Sequence, residues 1–401
     1  MTVAEADAAE ASGLRRSYRK IAESYEDGER IAAWLSFEPR DPAWDRFLEQ
    51  TPLGQFQQAS FWAAAKAAEG WAPVRVVITA DGVIVAGFQI LVRSALGGRV
   101  RVGYVSKGPV VAPGRKWAAQ FTVATLQTAI RQQGLAAIVV QPPDLCRQIP
   151  EMLTSRGFLQ DFLMSVNDAT WIIDPDKDGK PFEAAISRTT RRGVRRAIAA
   201  GIVIRQGGQA DLEDFFALMC GSSRRQHVNP SPSRIAHLRA LWDAASLSGN
   251  IRLYLAQAQG RAIAGVLVVL FGTTATLWKI GAAPPGNELK PNDWLICQAI
   301  QWAQEHGCRR CDFAAFDRSM AVSLLSGKRL SEQQKRSRYL FLTHFGGRPS
   351  LLPAAQIYFP NRVLRAAYRL CFQRRLRAAA KLKAASLRDR GTAAEDRAPN
   401  L

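Results

Sequence analysis

Two parts of the chain repeat the same order of predicted elements. Residues 74–92 and residues 251–271 each read as two β-rich runs around a turn, at Asp81-Gly82 and at Gln259-Gly260. Each hairpin is followed by another strand, a helix that ends in Gly and a short strand. An internal repeat of this size constrains the fold more than any other feature, and the simplest account is two copies of one βββαβ unit.

That order of elements resembles the core of an acetyltransferase of the GNAT type. The predicted fold class is therefore α/β (α+β), a tandem repeat of two GNAT-like acyltransferase domains, each a mixed β-sheet flanked by helices. We place a disordered, acidic N-terminal segment at 1–30, the first domain at 31–175 and the second at 176–360, joined by a polar, turn-rich link. A basic amphipathic helix and a disordered tail are predicted for 361–401.

The basic charge of the chain is concentrated in two places. Its 401 residues carry a formal net charge of +20, from 54 Lys and Arg against 34 Asp and Glu. Residues 188–205 contain six Arg and no acid, and residues 362–390 contain ten basic residues and one acid. Because the excess is local, it indicates surfaces that bind a polyanion such as nucleic acid, a phosphorylated substrate or anionic lipid.

The first basic cluster predicts a helix with a charged face. Its arginines recur at spacings of three and four and so share one side: Arg188, Arg191, Arg192, Arg195 and Arg196. Without acidic neighbours these side chains repel one another, which favours a face that binds phosphates or an RNA backbone. A solvated helix face is the alternative.

The second basic cluster begins with an amphipathic pattern. Val363, Ala367, Leu370 and Cys371 share one face, and basic residues lie around the opposite side: Arg362, Arg365, Arg369 and Arg374. A helix of this kind either lies on an anionic membrane or docks its apolar face on the protein's own core. The sequence leaves both alternatives open.

The sequence shows no pattern typical of a targeting signal, a membrane span, a metal site or a cofactor site. The N-terminus predicts no signal peptide, and the longest apolar stretch, residues 262–278, reads as a hairpin rather than a membrane span. The six Cys are scattered, which indicates a reducing cytoplasm, and the single Cys308–Cys311 pair does not predict a metal site. There is no nucleotide-binding loop and no pyrophosphate loop for coenzyme A after Gly281, so we expect no bound cofactor.

Five short stretches resemble one protein family in their order and spacing. They are QFQQASFWAAAK at 55–66, YVSKGPV at 104–110, the Arg-rich helix before GIVI at 201–204, PNDWL at 291–295 and RYLFLTHFGG at 338–347. Together they resemble the FemABX peptidyltransferases, which have two GNAT-like domains and add amino acids from aminoacyl-tRNA to peptidoglycan precursors. The resemblance covers about residues 30 to 370.

The resemblance implies a cytoplasmic enzyme, peripheral on the inner face of the plasma membrane, that acts on a UDP- or lipid-linked muropeptide. Lys66 matches a basic family position that meets the substrate's phosphates, and Arg234 matches a second. A diphosphate needs two or more cations within hydrogen-bond reach. The other expected substrate-binding residues are Lys107, Lys279 and Trp294. The arginine helix would meet the tRNA backbone, and we expect a monomer.

The chain departs from the family pattern in one motif. Family members have a Phe-Lys pair shortly before Phe-Gly-Gly, and that lysine is implicated in the transfer. This chain has Phe341-Leu342 instead, so we expect Phe341 at the catalytic centre and another cation, Lys335, Arg336 or His344, in the role of the lysine. A donor other than aminoacyl-tRNA would also explain the difference. The tyrosine expected after the second basic position is replaced by Leu238.

The predicted reaction is N-acyl transfer, in which an amine attacks an activated acyl carbon. A backbone N–H near Gly281 is expected to stabilise the oxyanion, and Asp312 or Asp317 is the candidate base, with turn hydrogen bonding as the alternative role. A second hypothesis is a GNAT N-acyltransferase of envelope polysaccharide or lipid synthesis that takes its acyl group from acyl-CoA or an acyl carrier protein. A third is a non-catalytic protein that binds RNA or a membrane.

Overall fold

A first mixed β-sheet is formed mostly by the N-terminal half of the chain. The computed structural model describes residues 18–144, 146–164, 166–175, 182–284, 289–371 and 374. Nine strands in these ranges form the sheet in the order β1-β2-β3-β4-β5-β7-β16-β8, with β6 beside β4. They are β1 (Arg19–Glu26), β2 (Glu29–Ser36), β3 (Ala72–Ala80), β4 (Val83–Ala95), β5 (Val100–Ser106), β6 (Val110–Val111), β7 (Ala137–Gln141), β8 (Leu159–Gln160) and β16 (Gln356–Tyr358).

A second mixed sheet is formed mostly by the C-terminal half. Its seven strands among the described residues run in the order β10-β11-β12-β13-β14-β9-β15. They are β9 (Ala169–Ile173), β10 (Val203–Gly207), β11 (Ile251–Ala258), β12 (Arg261–Phe271), β13 (Thr274–Ala282), β14 (Arg310–Asp312) and β15 (Arg348–Leu351).

The predicted repeat is confirmed at the centre of both sheets. In the first, β3, β4 and β5 are antiparallel neighbours and β5 pairs parallel with β7. In the second, β11, β12 and β13 are antiparallel neighbours and β13 pairs parallel with β14. Each parallel pair needs a crossover, which a helix supplies. The fold is therefore a mixed α/β tandem of GNAT-like units.

Helices cover both sheets. They are α1 (Pro42–Gln50), α2 (Ser60–Ala67), α3 (Lys116–Gln132), α4 (Gln148–Ser155), α5 (Arg188–Ala199), α6 (Leu212–Arg225), α7 (Ile235–Ala245), α8 (Pro291–Glu305), α9 (Arg318–Leu325), α10 (Glu332–Lys335) and α11 (residues 362–371). The crossover helices are α3 and α8. No helix in the described ranges is both long and apolar enough to cross a membrane.

The domain limits expected from the sequence need two corrections. Residues 19–26, expected in a disordered segment, form β1, an edge strand paired with β2; residues 1–17 lie outside the described part. The two halves also exchange strands. β9, expected in the first domain, lies between β14 and β15, and β16, expected in the second, lies between β7 and β8. Much of the expected link, residues 176–181, is outside the described residues.

The two halves share one apolar core. α2 packs against α7, and buried side chains from both halves form a continuous cluster between the sheets. The rings of Phe61 and Phe271 lie 6.1 Å apart, and those of Trp62 and Trp278 lie 5.8 Å apart. Aromatic pairs of this kind bury large apolar areas, so the two sheets are held in a defined relation.

The central strands separate differently in the two copies. β5 leaves β4 after Tyr104 and remains paired with β7 as far as Gln141. The side chain of Gln58 fills the opening between β4 and β5, where it donates to the Ser106 carbonyl (2.7 Å) and accepts from the Gln89 N–H (2.7 Å). In the second copy, β13 remains with β12 and leaves β14 after Thr276. That second opening faces a cleft.

Candidate active site

A cleft of about 870 Å³ lies between the two sheets and receives side chains from both. Tyr104, Ser106 and Gln141 line it from the first sheet, and residues 276–282 of β13 line it from the second. The structure brings six of the residues expected from the sequence to this cleft: Lys66, Lys107, Lys279, Gly281, Asp312 and Phe341. A concave site at a junction of two domains is where small-molecule sites are commonly found.

The backbone N–H of Gly281 points toward β12 and not into the cleft. Ala283 N–H donates to the Ile263 carbonyl, and alternate residues of an antiparallel strand point their N–H groups to the same neighbour. Gly281 therefore points its N–H at Gly265 of β12. Ile280 and Ala282 point away from β12, and Ala282 N–H donates to Ser222 Oγ at 2.9 Å. The N–H of Ile280, rather than that of Gly281, therefore lies on the side of β13 from which β14 has separated.

Gly281 has a different reason to be glycine. A Cβ at this position would lie 2.6 Å from the Met219 backbone nitrogen of α6. The close approach lets α6 reach the open side of β13, where Ser222 binds Ala282. Gly281 is therefore a packing residue that positions the helix beside the opening.

Asp312 ends β14 at the bottom of the cleft. Its buried carboxylate accepts from the Thr170 hydroxyl and from the Ala314 N–H (2.6 Å). Burial, reinforced by the negative charge of Asp144, raises the pKa of Asp312 above its ordinary value. A carboxylate whose pKa is raised toward neutrality is suited to exchange a proton with a substrate. Asp317, the other candidate base, instead caps α9 by accepting from Met320 N–H at 2.8 Å.

Lys107 lies in the cleft but is neutralised. Its ammonium forms a buried ion pair with Asp144, a residue not singled out from the sequence. A buried pair of this kind is costly to break, so Lys107 is not a free cation for a substrate phosphate. Its charge acts on Asp312 instead, where it partly opposes the rise in pKa caused by burial and by Asp144.

Lys279 is a half-buried cation of the cleft wall. Its ammonium lies 4.7 Å from the centre of the Trp278 ring, and no acid within the described residues forms an ion pair with it. Burial lowers the pKa of Lys279 to about 8, with a further contribution from the positive charges of Lys66 and Arg338. Three cations near one point of a cleft form a place for an anionic group.

A smaller pocket of about 470 Å³ adjoins the cleft and contains both expected phosphate ligands. Lys66 and Arg234 line it together, and Arg93 and His237 add further nitrogen groups. Lys66 is paired with Glu69 at 2.7 Å and lies 4.8 Å from the Trp62 ring centre. Since this ion pair is partly exposed, an anionic ligand could replace the carboxylate at small cost.

Comparison with known proteins agrees with this division into two halves. A model described as the FemAB family matches residues 40–155, and a model described as an acetyltransferase (GNAT) domain matches residues 184–318. The first half of the chain is thus similar to the FemAB family and the second half to GNAT acetyltransferases. The first match covers the helix of Lys66 and most of the first sheet, and the second covers β10 to β14, including the open side of β13.

A relative of known sequence and a solved structure are also similar to this chain. The lipid II:glycine glycyltransferase of Staphylococcus aureus strain MRSA252 is 23% identical over 223 residues, which are 53% of this chain and 52% of that protein. The chain thus spans about half the length of the curated relatives it matches. The crystal structure of FemX superposes with a TM-score of 0.68 at 17% identity, over 81% of this chain and 97% of that one, and shows the shared fold.

The position at which the resemblance predicts a lysine is apolar in this chain, and the expected substitutes lie elsewhere. Leu342 is buried at the cleft wall beside Phe341. None of Lys335, Arg336 and His344 is among the residues that line the cleft in the described structure, and Lys335 is paired with Glu332.

Two arginines that the sequence reasoning missed do line the cleft: Arg310 and Arg338. Arg338 donates to Gln226 Oε1 (3.0 Å) and stacks on Tyr339 (4.7 Å). Arg338 is the first residue of the RYLFLTHFGG stretch, and that position in the sequence could have indicated it as a site residue.

Trp294 and the arginine helix are not brought to the cleft. Trp294 packs against the core of the second half. The five arginines of α5 are exposed, while Thr190, Gly193 and Ala197 form its buried face. Gly193 meets the carboxylate of Asp293 in α8, and burial raises the pKa of that carboxyl to about 6. The assignments of Trp294 to substrate and of α5 to tRNA stay predictions.

The segment of His344 and the following Phe-Gly-Gly positions α5. Ser187 N–H and the Thr190 hydroxyl both donate to the His344 carbonyl, which fixes the start of the helix. Gly347 has a φ of +86°, and a Cβ there would lie 2.3 Å from the Ile172 carbonyl oxygen. Only glycine fits this turn into β15, which explains the motif on structural grounds.

Proposed function

We propose that the protein is an acyltransferase that moves an aminoacyl group from aminoacyl-tRNA to an amine of a peptidoglycan precursor. Similarity to the FemAB family over residues 40–155 and to a protein named lipid II:glycine glycyltransferase supports the reaction class. The observation that carries the proposal is the opening between β13 and β14, where the Ile280 N–H and the Asp312 carboxyl face one cleft.

The proposed reaction uses these two groups on one tetrahedral centre. The acceptor amine attacks the acyl carbon, so a C–N bond forms and the ester C–O bond to the tRNA ribose breaks. The Ile280 N–H donates to the oxygen that becomes negative. The Asp312 carboxylate takes the proton that the amine loses and returns it to the departing hydroxyl. Lys107 and Asp144 act indirectly, because they set the charge around Asp312.

The cations around the cleft divide between the two substrates. We assign the pocket of Lys66 and Arg234 to the diphosphate of a UDP- or lipid-linked muropeptide, since a diphosphate needs more than one cation. Lys279 and Arg338 would hold the terminal phosphates of the donor, in place of the lysine that Leu342 replaces. The exposed arginines of α5 would contact the tRNA backbone without reading its sequence.

A second candidate differs only in the donor. Because Leu342 removes a cation from the cleft wall, a thioester of coenzyme A or of an acyl carrier protein is the alternative source of the acyl group. The acceptor chemistry and the roles of Ile280 and Asp312 would be the same.

The donor can be identified by direct competition. Purified protein is incubated with a muropeptide precursor and, in turn, with labelled aminoacyl-tRNA, labelled acyl-CoA and labelled acyl carrier protein, and the label on the acceptor is measured. D312N is the control for uncatalysed transfer. Transfer from aminoacyl-tRNA is the expected result. Transfer from a thioester alone would replace the first candidate by the second, and tRNA binding without turnover from any donor would indicate a non-catalytic protein.

A further inference from the structure

The terminal helix α11 docks with its polar side and presents its apolar side to solvent. Tyr368 Oη donates to the Gln160 carbonyl (3.0 Å) and accepts from Phe162 N–H (2.9 Å). Arg365 lies over the Tyr358 ring at 5.1 Å. Only Arg365 and Tyr368 are half-buried between residues 362 and 371. The helix therefore contacts the protein through the side that carries these two residues.

The opposite side of α11 is the apolar face expected from the sequence. Successive residues of a helix are about 100° apart, so Val363, Ala367 and Leu370 lie roughly opposite Arg365 and Tyr368. Val363 is 76% exposed and Leu370 is 62% exposed. Docking of this face on the protein's own core, the alternative left open by the sequence, is wrong for the described part of the helix.

A neighbouring loop adds to this surface. Phe162 and Leu163 follow β8 and are both exposed, and the Phe162 backbone is bonded to Tyr368 of α11. The carboxylate of Asp161 accepts from the Leu163 and Met164 N–H groups, so it holds the loop in shape. Exposed large apolar side chains on two adjoining segments are unusual for a soluble surface and indicate a binding site.

The charge around this surface is basic. Arg362 and Arg369 are exposed on α11, Arg374 beyond its end is exposed as well, and the sequence from 362 to 390 contains ten basic residues and one acid. Apolar side chains surrounded by exposed arginines are complementary to a bilayer whose surface carries negative headgroups.

The same loop continues into the cleft. Met164 and Val166 line the cleft wall, and they pack in one apolar cluster with Tyr104 and with Tyr368 of α11. The exposed apolar surface and the cleft are thus joined by a few residues. A ligand anchored in a bilayer against α11 could place its headgroup in the cleft without leaving the membrane.

We propose that α11 and the 161–164 loop form a surface that binds an anionic phospholipid bilayer and holds the cleft at the membrane. Val363, Leu370 and Leu163 enter the headgroup boundary, and the arginines of α11 contact lipid phosphates. Binding to a bilayer does not depend on the proposed function. The further step, that the surface presents a lipid-linked acceptor to the cleft, rests on the proposed function.

Vesicle flotation of the full chain tests the surface. The protein should bind vesicles of phosphatidylcholine with phosphatidylglycerol and should not bind pure phosphatidylcholine. V363D/L370D should weaken binding at least about tenfold, because it replaces two inserting side chains by charges that lipid phosphates repel. L247D is the matched control, since Leu247 is 88% exposed on the other half of the chain. It should change binding less than about twofold.

A second pair of variants tests whether vesicle binding depends on the arginines near α11 or only on the net charge of the protein. R362Q/R369Q/R374Q should weaken vesicle binding about tenfold or more, and R191Q/R192Q/R196Q, which removes the same charge from α5, should change it less than about twofold. Equal losses from the two variants would overturn the proposal. Unchanged vesicle binding by V363D/L370D, with loss of a dimer seen by light scattering, would also overturn it and assign the face to a second copy.

Transfer rates on a soluble and on a lipid-linked acceptor test the membrane surface separately from the proposed acyl transfer. V363D/L370D should keep the wild-type rate on a soluble UDP-linked muropeptide and lose at least about tenfold on a lipid-linked muropeptide in vesicles. Equal rates on both acceptors would refute the presentation step. If the wild-type protein binds vesicles but transfers to neither acceptor, the proposed function fails and the membrane surface stands.

Discussion

Replacing Asp312 by Asn should leave the fold intact and remove activity. The Asp312 carboxylate accepts hydrogen bonds from Thr170 and from Ala314, and an Asn side-chain oxygen can accept both. At low pH, where the Asp312 carboxyl is protonated, D312N should therefore change the free energy of unfolding by no more than about 1 kcal/mol, whereas D312A loses both acceptors and should cost about 2–4 kcal/mol. In acyl transfer, loss of a general base should lower kcat about 100- to 10,000-fold.

The pH dependence of stability gives a second measurement of the same residue. Burial and Asp144 raise the pKa of Asp312 in the folded protein above its ordinary value of 3.8. The folded state then binds a proton more tightly than the unfolded state, so this group stabilises the fold at low pH. Its contribution is lost as pH rises from about 4 through the folded pKa, at up to about 1.4 kcal/mol per pH unit. D312N should lack this loss.

Urea unfolding at several pH values and single-turnover acyl transfer check both expectations. D317N is the matched control, because Asp317 only caps α9. It should change the free energy of unfolding by less than about 0.5 kcal/mol, because Asn caps a helix about as well as Asp, and it should keep its activity. Full activity in D312N would refute the assignment of Asp312 as the base. A stability difference between D312N and wild type that does not vary with pH would refute the raised pKa.

Three further predictions concern other parts of the site. Since Lys279 has a pKa of about 8, donor binding that uses its charge should weaken as pH rises through that value, and K279M should remove this step while K335M keeps it. G347A should cost more than about 3 kcal/mol in urea unfolding, whereas G98A, with the same sign of φ but nothing within 4 Å of the new Cβ, should cost about 1–2 kcal/mol. R191Q/R192Q/R195Q/R196Q should reduce the salt dependence of tRNA binding measured by filter retention; an unchanged slope would show that α5 does not face the nucleic acid.

The tandem fold could be predicted because local signals agree along its central strands. Long apolar runs, turns at Asp81-Gly82 and Gln259-Gly260, and helices that end in Gly each indicate an element without reference to distant residues. The strand exchange could not be predicted in this way. β9 and β16 are three to five residues long, and their positions depend on pairing with strands far away in sequence. β1 was missed because its half-exposed, charged sequence carries a weak apolar signal.

The sequence also could not predict which backbone N–H groups and which charges are available in the site. Sequence spacing placed Gly281 at the right strand, but a bulge between Leu277 and Lys279 shifts the register with β12, and strand register decides which N–H groups point away. Lys107 was chosen as a basic residue in a family motif, and its charge is cancelled by Asp144, 37 positions away. A lysine in a motif is informative about location, whereas its partner determines whether its charge is available to a ligand.

The two copies of the unit differ in what fills the opening of their central sheet. Where the sheet opens, a central strand stays paired with only one of its two neighbours. In the first copy β5 stays with β7, and in the second copy β13 stays with β12. In the first, Gln58 satisfies the separated edges of β4 and β5 with its own amide, so the opening holds protein atoms and is closed to a substrate. In the second, β13 leaves β14, and Ser222 satisfies Ala282 but leaves the Ile280 N–H directed at the cleft beside Asp312. The first copy therefore supplies the opposite wall with Lys66, Lys107 and Asp144, and the proposed oxyanion donor and base both come from the second.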